Sequence, residues 1–356
     1  MRLATNIKLW CVVATILAAA TNYILADSGP CESAMTKGIV CEAANQHALT
    51  LMKQRELKAL IVMQNVRTGS LLAFAASDPD TLDVTASLLP LSTVKVMVAA
   101  AWLSHAKSSP PNLFNADEVL IDSIASGNDD AGRRLASALR EAIGTEQVLR
   151  DLETYGFPSK SSSGSKDTSF WSELPVGWLD KLIPAVSYHS LGPTTTKTDW
   201  EQTLSIGEDR FVTTVFHLSR FLQAIGNRGI MLPPKARNAD GDESLSEISQ
   251  RRIMDETTAS KLEDAMRQTV QHGTAKSIAP ILERTGWNIG GKTGTGPGPN
   301  PPGPASDGWF VGLIFDPCGD ARFTVATFVK HGGHGGGNAA RLSADLAKFV
   351  IGESIY

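Results

Sequence analysis

Three short polar motifs stand in fixed order along the chain: Ser92-Thr-Val-Lys95, Ser126-Gly-Asn128 and Lys292-Thr-Gly-Thr295. Their residue types suit acyl transfer by a serine that uses no histidine base. A serine hydroxyl is a weak nucleophile until an adjacent base takes its proton, and a lysine can do so only when unprotonated. Burial would disfavour the charge on Lys95, and a second ammonium nearby, that of Lys292, would push in the same direction. Lys292, Thr293, Gly294 and Thr295 would bind the substrate, with Lys292 attracting the carboxylate of an anionic one. Ser126 would relay a proton to the leaving amine, and the amide of Asn128 would orient Lys95 or the substrate backbone. The backbone N–H groups of Ser92 and Thr295 would form an oxyanion hole.

Context selects Ser92 among three Ser-x-x-Lys candidates. Ser92 follows Leu-Leu-Pro-Leu and opens an apolar, alanine-rich run ending in Trp102-Leu103, which predicts a buried helix over 92–104. Three residues is about one helical turn, so Lys95 falls on the same face as Ser92. Ser104-His-Ala-Lys107 ends that helix, and Ser163-Gly-Ser-Lys166 lies in a serine-rich loop. Both read as solvated chain.

The remaining pattern predicts strands near 59–65, 70–76, 286–293, 308–316 and 321–330, a largely helical stretch from 92 to about 270, and a final helix over 338–351. The expected fold class is α+β. An antiparallel β-sheet built from both ends of the chain is flanked by helices, with a helical insertion lobe between the second and third strands. The cleft would lie where the lobes meet. Polar segments at 158–168 and 235–251 read as exposed insertions, and Pro297-Gly-Pro-Asn-Pro-Pro-Gly-Pro304 as a stiff loop after the third motif.

With these motifs in place, the chain resembles a penicillin-binding protein transpeptidase domain, of the superfamily that also holds the serine β-lactamases and DD-peptidases. The likeness extends through the segment 212–234, Gly273-Thr-Ala-Lys276, Gly290-Gly291 before the third motif, Gly308-Trp-Phe-Val-Gly312, and a first hairpin over 61–75. It covers about residues 58–356. Two features depart from the family: Ser92 and Ser126 are only 34 positions apart, and Leu91 stands where many members have glycine before the nucleophile. The resemblance implies an acyl-serine D-alanyl-D-alanine transpeptidase or carboxypeptidase acting on peptidoglycan stem peptides and acylated by β-lactams, without a cofactor or metal. A class D-like β-lactamase and a non-catalytic β-lactam-binding or scaffold module are the alternatives. Against a β-lactamase, Trp171-Ser-Glu-Leu-Pro is a poor match to the deacylating segment of class A enzymes, and Phe157 replaces the polar residue of a class D Tyr-Gly-Asn at Tyr155-Gly156.

Composition agrees with a folded extracytoplasmic enzyme. Hydrophobic residues make up 42%, charged residues 20%, and the formal charge is −4, without the basic excess of a nucleic-acid binder. Residues 1–26 read as a signal peptide or a membrane-retained signal anchor, 27–57 as a leader segment, and 58–356 as the transpeptidase domain. The expected location is the periplasm or the outer face of the inner membrane. No glycosyltransferase-like region precedes residue 58, so a separate glycan polymerase is the expected partner. Cys31 and Cys41 would close a small loop in an oxidising compartment or stay unpaired, leaving Cys318 as a spare thiol. His331 and His334 lie in a glycine loop, which rarely preorganises metal ligands.

Overall fold

The structure, a computed structural model, describes residues 41–79, 82, 88–105, 116–157, 203–207, 211–233, 250–296 and 306–352. The signal segment, Cys31, the 158–168 and 235–249 stretches, Trp171-Ser-Glu-Leu-Pro, Lys107, Ser163, Lys166 and the 297–304 connector lie outside the described residues. Among those described, no helix is long and apolar enough to cross a membrane.

The chain starts with helix α1 (Glu42–Gln54) and the hairpin β1 (Lys58–Asn65) and β2 (Leu71–Ala76). A 3-10 turn at Leu91–Thr93 leads into α2 (Val94–His105). Next come α3 (Ala116–Ile121), a π-turn at Asp122–Ser126, α4 (Asp129–Thr154) and α5 (Val215–Gly226). A small ribbon of β3 (Ile230–Met231) and β4 (Arg251–Arg252) precedes α6 (Glu256–Gln271) and the short α7 (Ala279–Glu283). The chain then returns to the sheet as β5 (Asn288–Gly296), β6 (Asp307–Phe315) and β7 (Ala321–Lys330), and ends in α8 (Asn338–Val350).

The main sheet is antiparallel in the order β2-β1-β7-β6-β5, so strands from both ends of the chain pair at its centre, Lys58 with Lys330 and Leu60 with Phe328. Alternation along β1 explains how two helical layers share this sheet. Leu60 and Val62 face a core shared with α2, α5 and α6, whereas Ala59, Ile61 and Met63 face α1 and α8. The apolar run predicted as a helix is buried on nearly every side from Val94 to Trp102. Each large apolar side chain so buried contributes roughly 1.5–3 kcal/mol. A polar cluster ties α5 to the sheet: Ser219 Oγ donates to Gln64 at 2.8 Å and lies 2.7 Å from the Thr324 hydroxyl, while Gln223 donates to the Val66 carbonyl at 2.7 Å.

Two expectations are corrected. The α-helix carrying the first motif begins at Val94, because the Thr93 hydroxyl and amide both bond the Pro90 carbonyl and tighten the entry into a 3-10 turn. Cys318 is not a spare thiol, since both it and Cys41 are disulfide-bonded. Tyr155 and Phe157 are core residues packed on Phe221, with ring centroids 5.3 and 5.8 Å from it.

Candidate active site

Ser92 sits in the 3-10 turn, partly buried, at a backbone held from three sides. Leu91 has φ +51°, a left-handed conformation that costs an L-residue roughly 1–2 kcal/mol. Glycine, which many family members carry here, adopts it without that cost. This chain retains the backbone path by enclosing Leu91, which is 1% exposed. The Leu91 amide donates to the Gly207 carbonyl at 3.1 Å, and Trp309 Nε1 of β6 donates to the Leu89 carbonyl at 2.9 Å.

Gly207 has φ +72°, and a Cβ there would lie 2.1 Å from the Leu91 carbonyl oxygen. Gly294, inside the third motif, faces the same turn: its Cβ would meet Leu91 Cβ and the Pro90 carbonyl at 3.3 Å. The missing side chain at Gly294 thus eases the close approach of β5 to the nucleophile turn. Gly207→Ala is expected to destabilise the fold by about 2 kcal/mol or more and to slow acylation of Ser92 by shifting Leu91. Urea unfolding and the acylation rate measure the two effects. A lowered stability with a wild-type rate would show that Ser92 does not depend on this contact.

Lys95 is 1% exposed and its amine is fully engaged. It donates to the Gly127 carbonyl at 3.0 Å, the Asn128 carbonyl at 3.4 Å and the Asp129 carboxylate at 2.6 Å. The second motif presents these carbonyls because Gly127 closes the π-turn with φ +69°, a conformation that favours glycine. Ser126 is exposed at the end of this turn. Asn128 departs from its expected role. Its side-chain oxygen accepts from the amides of Asp130 and Ala131 as the N-cap of α4, and its Nδ2 donates to Asp122 at 2.8 Å. What it offers Lys95 is its main-chain carbonyl.

Lys292 comes from the opposite wall, on β5, and is fully buried. Its amine donates to the Thr293 carbonyl at 2.8 Å and lies 3.5 Å from the space a Gly127 side chain would fill. The two lysines thus meet at Gly127, one on its carbonyl and the other beside its Cα. Burial holds Lys292 well below the ordinary lysine range and the Lys95 charge pushes it further down, while Asp129 opposes this. Burial also lowers Lys95, partly offset by its hydrogen bond and charge pairing with Asp129.

The other two members of the motif are anchored through their hydroxyls. Thr293 Oγ1 lies 2.7 Å from Thr274 Oγ1, and Thr295 Oγ1 accepts from the Gly335 amide at 3.1 Å. The His331–Gly337 loop accordingly braces the end of β5, and the His331 amide donates to Asp307 at 2.9 Å. Among the described residues there is no group of three or more His, Cys, Asp or Glu side chains that would hold a metal ion. Among the described residues, β5 is the outer strand of the sheet and pairs with β6, Lys292 opposite Val311 and Thr295 opposite Gly308. The structure brings Lys95 and Lys292 together at the Gly127 segment and sets Gly294 against the turn that carries Ser92, while the Asn128 side chain is turned to the start of α4. Asp129 and Thr274 belong to this arrangement too. The sequence signal for Asp129 was its place directly after Asn128, where it reads simply as the first residue of a helix.

The family model described as penicillin binding protein transpeptidase domain matches residues 59–348. No curated protein matches the chain. Among solved structures, the chain is similar to the transpeptidase domain of penicillin-binding protein 3 from Burkholderia pseudomallei, with TM-score 0.63 and 17% identity over 88% of this chain and 94% of that one. It is similar to the transpeptidase domain of the FtsI4 D,D-transpeptidase from Legionella pneumophila, with TM-score 0.57 and 19% identity over 88% and 96%. It also resembles penicillin-binding protein 3 from Mycobacterium tuberculosis in complex with aztreonam, with TM-score 0.62 and 17% identity over 87% and 76%. With the family model spanning most of its length and the α+β fold shared with these structures, the chain belongs to the penicillin-binding protein transpeptidase family.

Proposed function

We propose that this protein is a serine D-alanyl-D-alanine transpeptidase or carboxypeptidase of the extracytoplasmic space, acting on peptidoglycan stem peptides and acylated by penicillin at the same serine. The observation that carries the reading is the meeting of two buried lysines at Gly127, beside the turn that bears Ser92. Ser92 Oγ attacks the penultimate D-Ala carbonyl while its proton passes to neutral Lys95. The oxyanion is met by the N–H groups of Ser92 and Thr295. The C–N bond then breaks, and the proton on Lys95 reaches the departing D-Ala amine by way of Ser126. Water or an amine attacks the remaining acyl ester and restores Ser92.

Lys292, Thr293 and Thr295 receive the terminal carboxylate, and the outer edge of β5, unpaired among the described residues, offers main-chain groups to an extended peptide. A penicillin presents an amide and a carboxylate in the same relation. A glycan polymerase supplies the strands that carry the peptide. A pentapeptide ending in D-Ala-D-Ala tests the reading. One D-Ala is released per peptide, and an added amine acceptor appears in a cross-linked product if transpeptidation is the route. Steady hydrolysis of penicillin with no release of D-Ala would overturn the reading in favour of a β-lactamase.

A further inference from the structure

The three hydrogen bonds of Lys95 all lead to the Gly127–Asp129 segment, and none leads to Ser92. A general base that rests in an ion pair is held as the ammonium, which cannot accept a proton. We propose that Asp129 is a positioning residue for the reaction: it keeps the Lys95 amine on the Gly127–Asp129 side of the cleft, and the amine serves Ser92 only when that ion pair opens. The proposal rests on the reading of Ser92 as nucleophile and Lys95 as its base.

Asp129 suits the task by its placement. Its side chain is 52% exposed while that of its partner is 1% exposed, so the carboxylate stands between the buried amine and solvent. The ammonium loses one proton to solvent past Asp129. The neutral amine then takes the Ser92 proton as the serine oxygen bonds to carbon, and returns that proton to the leaving amine. Protons balance over one acylation.

The other charges facing Lys95 are few. Asp122 from the π-turn also favours its charged form, whereas Arg133 of α4 opposes it, and Lys292 of β5 faces it across Gly127. Asp122 is engaged by the Asn128 amide, and Arg133 pairs with Asp130 at 2.8 Å. Asp129 is therefore the one carboxylate in direct contact with the amine among the described residues.

Asp129→Asn keeps the shape and an acceptor oxygen but removes the charge. The test is the pH profile of penicillin acylation of the full chain, followed by intact mass, for wild type, Asp129→Asn, Asp129→Glu and Asp130→Asn. Loss of the carboxylate makes the neutral amine easier to reach, so the acid limb moves to lower pH. At the acid end Asp129→Asn acylates about tenfold faster than wild type, given the size of a single adjacent charge's effect. Asp129→Glu restores the wild-type limb, and Asp130→Asn, which removes an equal charge from a neighbouring carboxylate that makes no hydrogen bond to Lys95, leaves it in place. An unmoved limb in Asp129→Asn, or an equal movement in Asp130→Asn, overturns the proposal. The absence of any Ser92 adduct in wild type, or a Lys95→Met variant that acylates normally, would instead overturn the reading beneath it.

Discussion

Ser92→Ala is expected to remove D-Ala release by on the order of a million-fold while leaving the fold intact, as for other nucleophiles that act as a unit with their base. The side chain is partly exposed at the surface of the cleft and makes no packing contribution comparable to that of Leu91, its fully enclosed neighbour. The strain and the anchoring of the turn lie in Leu91, Thr93 and Gly207, all of which remain. Release of D-Ala from a stem pentapeptide gives the rate, and thermal unfolding confirms the unchanged fold. A residual rate within a hundredfold of wild type would mean that another group carries the acyl transfer.

Lys292→Met is expected to separate activity from stability. The Lys292 amine is wholly buried, and among the described residues its hydrogen bond goes to the Thr293 carbonyl, with no carboxylate in contact. Keeping a polar group so deep is unfavourable, and an apolar side chain of similar length avoids the desolvation cost. The variant should be more stable by about 1–2 kcal/mol. The same change removes the amine proposed to meet the substrate carboxylate, so acylation should fall on the order of 10²–10³-fold. Urea titration and the rate of acylation read the two halves separately. A variant that loses both stability and activity would show that Lys292 is structural rather than retained for the site.

The parts of this site that could be read from the sequence are those whose chemistry lies within a few residues. Ser92 and Lys95 are one turn apart, Ser126 and Asn128 span a turn, and the third motif is one stretch of strand. The unbroken apolar run of α2 likewise reported the buried helix. What remained hidden depends on contacts between distant positions. Lys95 and Asp129 are 34 residues apart and Thr295 and Gly335 are 40 apart, and neither member of either pair marks the other in sequence. Asn128 was read as a site amide because its neighbours are motif residues. A free N–H pair at the start of α4 competes for that same side chain, and in this structure the helix holds it. Leu91 gave the opposite difficulty: its departure from glycine is plain in the sequence, but the conformation it adopts depends on Gly207 and Gly294, both far along the chain.

The central claim is that Ser92 is the acylated nucleophile. Intact-protein mass spectrometry of residues 27–356 mixed with a penicillin, beside Ser92→Ala, tests it most directly. A persistent adduct of one drug mass that maps to the peptide holding Ser92 and is missing from Ser92→Ala is the predicted result. An adduct of equal yield in Ser92→Ala, or none in wild type, would contradict the account.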